Sequence, residues 1–69
     1  MKKRPMTAED ATLLFPVGTK VKYFPIFGEP NYEQTEIRSE AWALGHGELV
    51  IKIEGRSGGV SISHLEFDD

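Results

Sequence analysis

The chain has no cysteine, a single tryptophan and no long apolar run. Without cysteine there is no disulfide and no thiolate zinc site. That absence matters at 69 residues, because a domain this small buries only about 60% of its unfolded surface. Small domains compensate with staples or by associating, so a homo-oligomer is a physical option here. The apolar step Leu13-Leu14-Phe15 falls far short of the ~20 residues needed to cross a bilayer. The basic start Met1-Lys2-Lys3-Arg4 is followed by Pro5, Glu9 and Asp10 instead of an apolar stretch. It does not read as a secretory leader, and a cytoplasmic location with no membrane partner is the expectation. Cations are also scarce. Eight Lys and Arg face eleven Asp and Glu, a net charge of −3, which does not imply a nucleic-acid face.

The remaining composition is that of a folded domain, with 39% hydrophobic and 28% charged residues. Met1 to Met6 reads as a flexible basic tail, followed by a single domain over residues 7–69. Thr7-Ala8-Glu9-Asp10 has the form of a helix start. Thr7 can cap, and the acidic residues suit the positive end of the helix dipole. Asp10, three residues on, can complete a capping box. Pro16 ends this short helix near Phe15, and Leu13, Leu14 and Phe15 could plug one mouth of a barrel.

Alternation with period two then takes over. Val17 to Phe24 is the first expected strand, with Val21 and Tyr23 facing in and Lys20 and Lys22 facing out. Pro25 to Gln34 is a loop, broken by two prolines, a glycine and an asparagine. Thr35 to Leu44 is the second strand, but its phase conflicts with itself, because Ile37 and Trp42 fall on opposite parities. Either a bulge between Ser39 and Ala41 resets the phase, which the preference for burying apolar side chains favours, or Trp42 lies on the outer face. Gly45-His46-Gly47 turns the chain. Leu49, Ile51 and Ile53 face the core, with Val50, Lys52 and Glu54 outside. Gly55 to Gly58 makes the next turn. Val60 and Ile62 point in, and Ser61 and Ser63 point out. A 3₁₀ turn at His64-Leu65-Glu66 is expected to drop Leu65 into the core before a last short strand at Phe67.

This order specifies a mainly β fold. A long loop follows the first strand, tight turns join the next three, and a 3₁₀ step precedes the last. It resembles a Src-homology-3-like (SH3-like) small β-barrel of about five strands with a short N-terminal helix. Within that group, Gly18-Thr19-Lys20-Val21, Gly59-Val60-Ser61-Ile62-Ser63 and Leu65-Glu66 are weakly similar to the plasmid- and integron-borne type II dihydrofolate reductases, and to small barrel proteins of integron cassettes and prophages. The similarity spans about Val17 to Glu66. That family forms a homotetramer whose pore binds folate and a nicotinamide cofactor over a Val-Gln-Ile-Tyr floor. Here the matching stretch is Val60-Ser61-Ile62-Ser63, and the family's lysine falls on Tyr23. The apolar pair that the barrel needs is present. The amide and phenol that recognise the ligands are not, so the resemblance implies the fold and not the reductase activity, and the alternative it implies is a homo-oligomeric pore that binds a small molecule in that family's manner.

No catalytic site, metal site or cofactor is read from the chain. His46 and His64, with Glu48 and Glu66, match no ligand spacing and read as a turn histidine and a cap histidine. Gly55-Arg56-Ser57-Gly58-Gly59 lacks the lysine and following helix of a phosphate loop and reads as a hairpin turn. No serine sits in a nucleophile elbow. The strongest functional lead is aromatic. Phe24, Phe27, Tyr32 and Trp42, with Tyr23 nearby and Arg38 as a cation, suit a non-enzymatic module that grips a proline-rich or extended peptide. The same residues with Lys22 and Lys52 could stack single-stranded bases, although the acidic balance opposes it. Filling the core is the plainest role for such residues. If Trp42 faces outward beside Val50, the pair forms a surface suited to self-association.

Overall fold

The computed structural model describes residues 6–26 and 28–68. One short helix, six short strands and a 3₁₀ turn follow each other along it. Among these residues no helix is long and apolar enough to cross a membrane. Most of the expected tail, Met1–Met6, lies outside the described residues, as does Phe27.

The helix, α1, spans Ala8–Leu14 and opens with the expected capping box. Asp10 N–H donates to Thr7 Oγ1, and Thr7 N–H donates to the Asp10 carboxylate, each at 3.1 Å. Seven residues are too few for a stable isolated helix, so α1 depends on what it touches. Ala11 and Phe15 are buried. Thr12 makes the second attachment: its hydroxyl donates to Ala8 O at 3.0 Å and accepts from Ala41 N–H at 2.9 Å. Of the apolar triplet expected to plug a barrel mouth, only Phe15 is buried, joining the core and stacking on Phe67 with centroids 4.9 Å apart. Leu13 and Leu14 are exposed, because Pro16 turns the chain before a third apolar face can form.

The strands are β1 (Lys20–Tyr23), β2 (Glu33–Glu36), β3 (Trp42–Ala43), β4 (Leu49–Ile51), β5 (Val60–Ser61) and β6 (Leu65–Phe67). They form two antiparallel three-stranded sheets, ordered β2-β1-β6 and β3-β4-β5. The sheets meet beyond the end of β2, where Ile37 bridges Ile53. There Glu54 N–H donates to Glu36 O at 3.0 Å and Arg38 N–H to Lys52 O at 2.9 Å. On its other side Ile37 N–H donates to Thr19 O at 3.0 Å, so one residue ties both sheets together. The core lies between them: Phe15, Val21, Ile37, Ile51, Ile53 and Leu65, with Tyr23, Ala41, Val60 and Ile62 packed at its edge. Burying each large member contributes about 1.5–3 kcal/mol.

The expected second strand is two strands, and the break resolves its parity conflict. From the Ile37–Ile53 bridge to the Trp42–Val50 pair, one chain advances five residues and its partner three. Ser39, Glu40 and Ala41 therefore oppose Ile51 alone. The bulge exists, but it carries two extra residues and not one, so the period-two phase survives it. Ala41 packs against the core like Ile37, and Trp42 stays outside. Ser39 repairs the ladder, its Oγ accepting from Lys52 N–H at 3.0 Å. The 3₁₀ turn covers Ile62–His64, two residues earlier than expected, because Ser61 caps it. Leu65 is buried as expected, but as the first residue of β6.

Candidate functional site

The β1–β2 pairing sets Lys20 opposite Glu36 and Lys22 opposite Gln34. Continuing that register past the last hydrogen-bonded pair brings Phe24 opposite Tyr32. Their rings are 5.4 Å apart at 45°, a tilted arrangement favourable for aromatic pairs. Both belong to the parity of Lys20 and Lys22, the outer face of the first sheet. Tyr32 is 45% exposed, and the Lys22 ammonium sits 5.1 Å from its ring centroid. A cation at that distance is attracted by the ring face.

The backbone of Phe24 is fixed from the 3₁₀ turn. Phe24 N–H donates to His64 O at 2.9 Å, and His64 Nδ1 lies 2.6 Å from Phe24 O. A carbonyl only accepts, so Nδ1 carries the proton in that contact. This reciprocal pair holds the end of β1 against the turn before β6. The intervening loop folds with Glu29 N–H donating to Ile26 O at 3.1 Å. Gly28 sits at φ 88°, a conformation that needs glycine. The loop and the 3₁₀ turn leave a concave surface lined by Phe24, Gly28, Glu29, Pro30, Ser63 and Glu66.

Tyr23, one residue earlier, faces the other way. The Arg56 guanidinium lies over its ring at 4.6 Å and reaches Glu33 at 2.8 Å. Arg38 supports that arrangement and does not join the aromatic pair. Its Nε donates to Ile53 O at 2.9 Å and its Nη2 to Arg56 O at 2.8 Å, so its guanidinium stitches the inter-sheet joint to the β4–β5 turn. Trp42 is elsewhere again. Its indole lies across Gly59, where an added Cβ would come within 2.7 Å of Cη2, and it covers Val50, its partner in the ladder. Val50 is only 6% exposed and Trp42 37%.

Of the aromatic and cationic residues singled out from the sequence, the fold brings together Phe24 and Tyr32. It assigns Trp42 to the outer face of the second sheet and Arg38 to backbone carbonyls, and Phe27 lies outside the described residues. Glu29, Pro30, Ser63 and Glu66 were not expected. The pair follows from the observed register, since extending Lys20–Glu36 by four residues sets Phe24 opposite Tyr32. Nothing local announced that Ser63 and Glu66 would come alongside.

The surrounding charges are largely spoken for. Lys20 bonds Glu36 at 2.8 Å, and this exposed contact raises the Lys20 pKa above its usual 10.5, through the hydrogen bond first and the Glu36 charge second. Gln34 donates to Asp68 at 3.1 Å. With Glu36, Glu66 and Asp68 interleaved among the lysines, the outer face of this sheet is a mosaic and not a cationic track. His46 interacts with its own turn, Glu48 N–H donating to its Nδ1 at 3.4 Å and the Glu48 carboxylate lying 4.0 Å from its Nε2. Among the described residues no three His, Cys, Asp or Glu side chains gather in a way that could hold a metal ion.

No protein-family model, no curated protein and no solved structure matches the chain.

Proposed function

We propose that this chain is a non-enzymatic binding module that captures an extended or proline-containing peptide on Phe24 and Tyr32. One observation carries the reading. Two aromatic rings that the core does not use are held at the end of a sheet, beside a concave surface that includes Pro30. Tyr32 is exposed and half-buried Phe24 is fixed through its backbone by His64, so the pair offers contact area at low entropic cost. The flat faces of proline and the extended backbone around it are suited to such a surface. The reading also fits an SH3-like barrel. The Ile37–Ile53 bridge between the sheets, the long first loop and the 3₁₀ turn before the final strand support that architecture, although the two sheets lack a closed ladder.

The test is binding to immobilised proline-containing peptides, read by fluorescence anisotropy. Phe24→Ala and Tyr32→Ala should each weaken capture by at least about tenfold, the scale of losing one aromatic anchor. Their melting temperatures should stay within a few degrees of the parent, ~1 kcal/mol at most. Equal capture by parent and variants would remove the pair from the site. Two variants that simply melt early would make these residues structural and the reading wrong.

A further inference from the structure

The second edge of β6 is a separate feature. β6 pairs with β1 on one side only and ends its sheet. Phe24 N–H bonds His64 O, and Asp68 N–H bonds Lys20 O at 3.1 Å. In an antiparallel ladder these alternate positions face the partner strand, so the groups between them face away. Leu65 N–H closes the 3₁₀ turn on Ile62 O. That leaves Leu65 C=O, Phe67 N–H and Phe67 C=O directed away from β1, with no partner among the described residues. Phe67 is 45% exposed. Leu65 is 7% exposed and the Phe67 ring stacks on Phe15, but an edge whose backbone groups lack a strand partner is a template for another strand.

The side chains on β6 say which strand. Leu65 and Phe67 form an apolar row, and Glu66 and Asp68 an acidic row on the opposite face. β1 already shows the complement: Val21 lies opposite Phe67, Lys22 opposite Glu66 and Tyr23 opposite Leu65. An alternating Lys-apolar strand thus satisfies both rows on the occupied edge, and the open edge carries the same two rows, with Leu65 buried and Phe67 45% exposed. The full chain carries eight Lys and Arg against eleven Asp and Glu, a balance that favours a cationic partner. A second copy suits the edge poorly. Two antiparallel β6 strands would set acidic row against acidic row, and like charges placed opposite are destabilising.

We infer that the open edge of β6 accepts an extended peptide alternating Lys or Arg with Val or Tyr, by strand addition along Leu65–Phe67. This surface is independent of the Phe24–Tyr32 reading.

The experiment uses the full chain, ¹⁵N-labelled, and a blocked peptide Lys-Val-Lys-Val-Lys-Tyr. Amide shifts should move along Leu65 to Phe67, and hydrogen exchange at the Phe67 amide should slow. The same peptide N-methylated at alternate residues keeps its charge but loses its pairing N–H groups. It should bind at least about tenfold more weakly, and the Glu-Val-Glu-Val-Glu-Tyr peptide should not bind. Phe67→Pro removes the outward N–H, which an edge strand tolerates, and should weaken binding similarly. If that variant fails to fold, the N-methylated peptide carries the test alone. Tyr32→Ala should leave this affinity unchanged, which separates the two surfaces. Equal binding of the N-methylated or the acidic peptide would overturn the inference. So would a Phe67 amide already protected without peptide in a chain that light scattering shows to be a dimer, because the occupant would then be a second copy.

Discussion

Among the described residues two outward-facing aromatic groups stand out, one on each sheet, and they are held in different ways. On the second sheet the Trp42 benzo ring lies against Gly59 and over its ladder partner Val50, which is as buried as the core. On the first, Phe24 and Tyr32 touch each other, Lys22 lies over the Tyr32 ring, and neither aromatic belongs to the core cluster. Exposure alone does not distinguish them, since Trp42 at 37% and Tyr32 at 45% are close. What lies beneath them does. A ring that covers an apolar neighbour contributes to stability. A ring supported mainly by another ring keeps its contact area for a ligand. The comparison separates a structural aromatic from a candidate recognition aromatic on geometry alone.

The largest expected effect is on the Trp42 side. Trp42→Ala uncovers Val50 and should cost about 2–3 kcal/mol, less than a fully buried tryptophan because part of the ring is already wet. Chemical denaturation checks it. A loss under ~0.5 kcal/mol would erase the distinction drawn above. Next comes Gly59→Ala, whose Cβ would meet the indole at 2.7 and 2.9 Å and Val50 Cβ at 3.2 Å. The ring must swing outward, so about 1–2 kcal/mol should be lost and Trp42 emission should shift to the red. Unchanged emission would show that the indole does not rest on Gly59. On the other side Tyr32→Ala should cost under ~1 kcal/mol, the scale of one cross-strand pair, while peptide capture falls. The smallest effect is electrostatic. The Lys20 pKa is raised in the folded state by Glu36, so its contribution is present below the usual lysine value and lost as pH climbs through the raised one. A slight drop in melting temperature above about pH 10.5 should vanish in Glu36→Gln, though screening keeps any such exposed pair weak.

Much of the local structure was legible because it rests on short-range rules. The capping box at Thr7 and Asp10, the end of the helix before Pro16, and the turns at Gly45–Gly47 and Gly55–Gly58 follow from residues that hydrogen-bond or bend within a few positions. Alternation in Lys20–Tyr23 and Leu49–Ile53 assigned Val21, Ile51 and Ile53 to the core correctly. The outer position of Trp42 depended on how many residues the bulge contains. One extra residue flips the phase and two restore it, and only the pairing with β4 fixes that number. Arg38 is a similar case. As a lone cation among aromatics it suggested a ligand contact, but Ile53 O and Arg56 O reach it from 15 and 18 residues away.

By itself the sequence determined that this is a small, cysteine-free, mainly β chain with a capped N-terminal helix, because composition, period and turn chemistry are local quantities. Tertiary structure decided which aromatics share a surface and which edge stays open. It also decided that Ile37 joins two sheets that present different outer faces. Those outcomes are set by pairing between distant segments, where register, and not residue type, decides what each side chain meets.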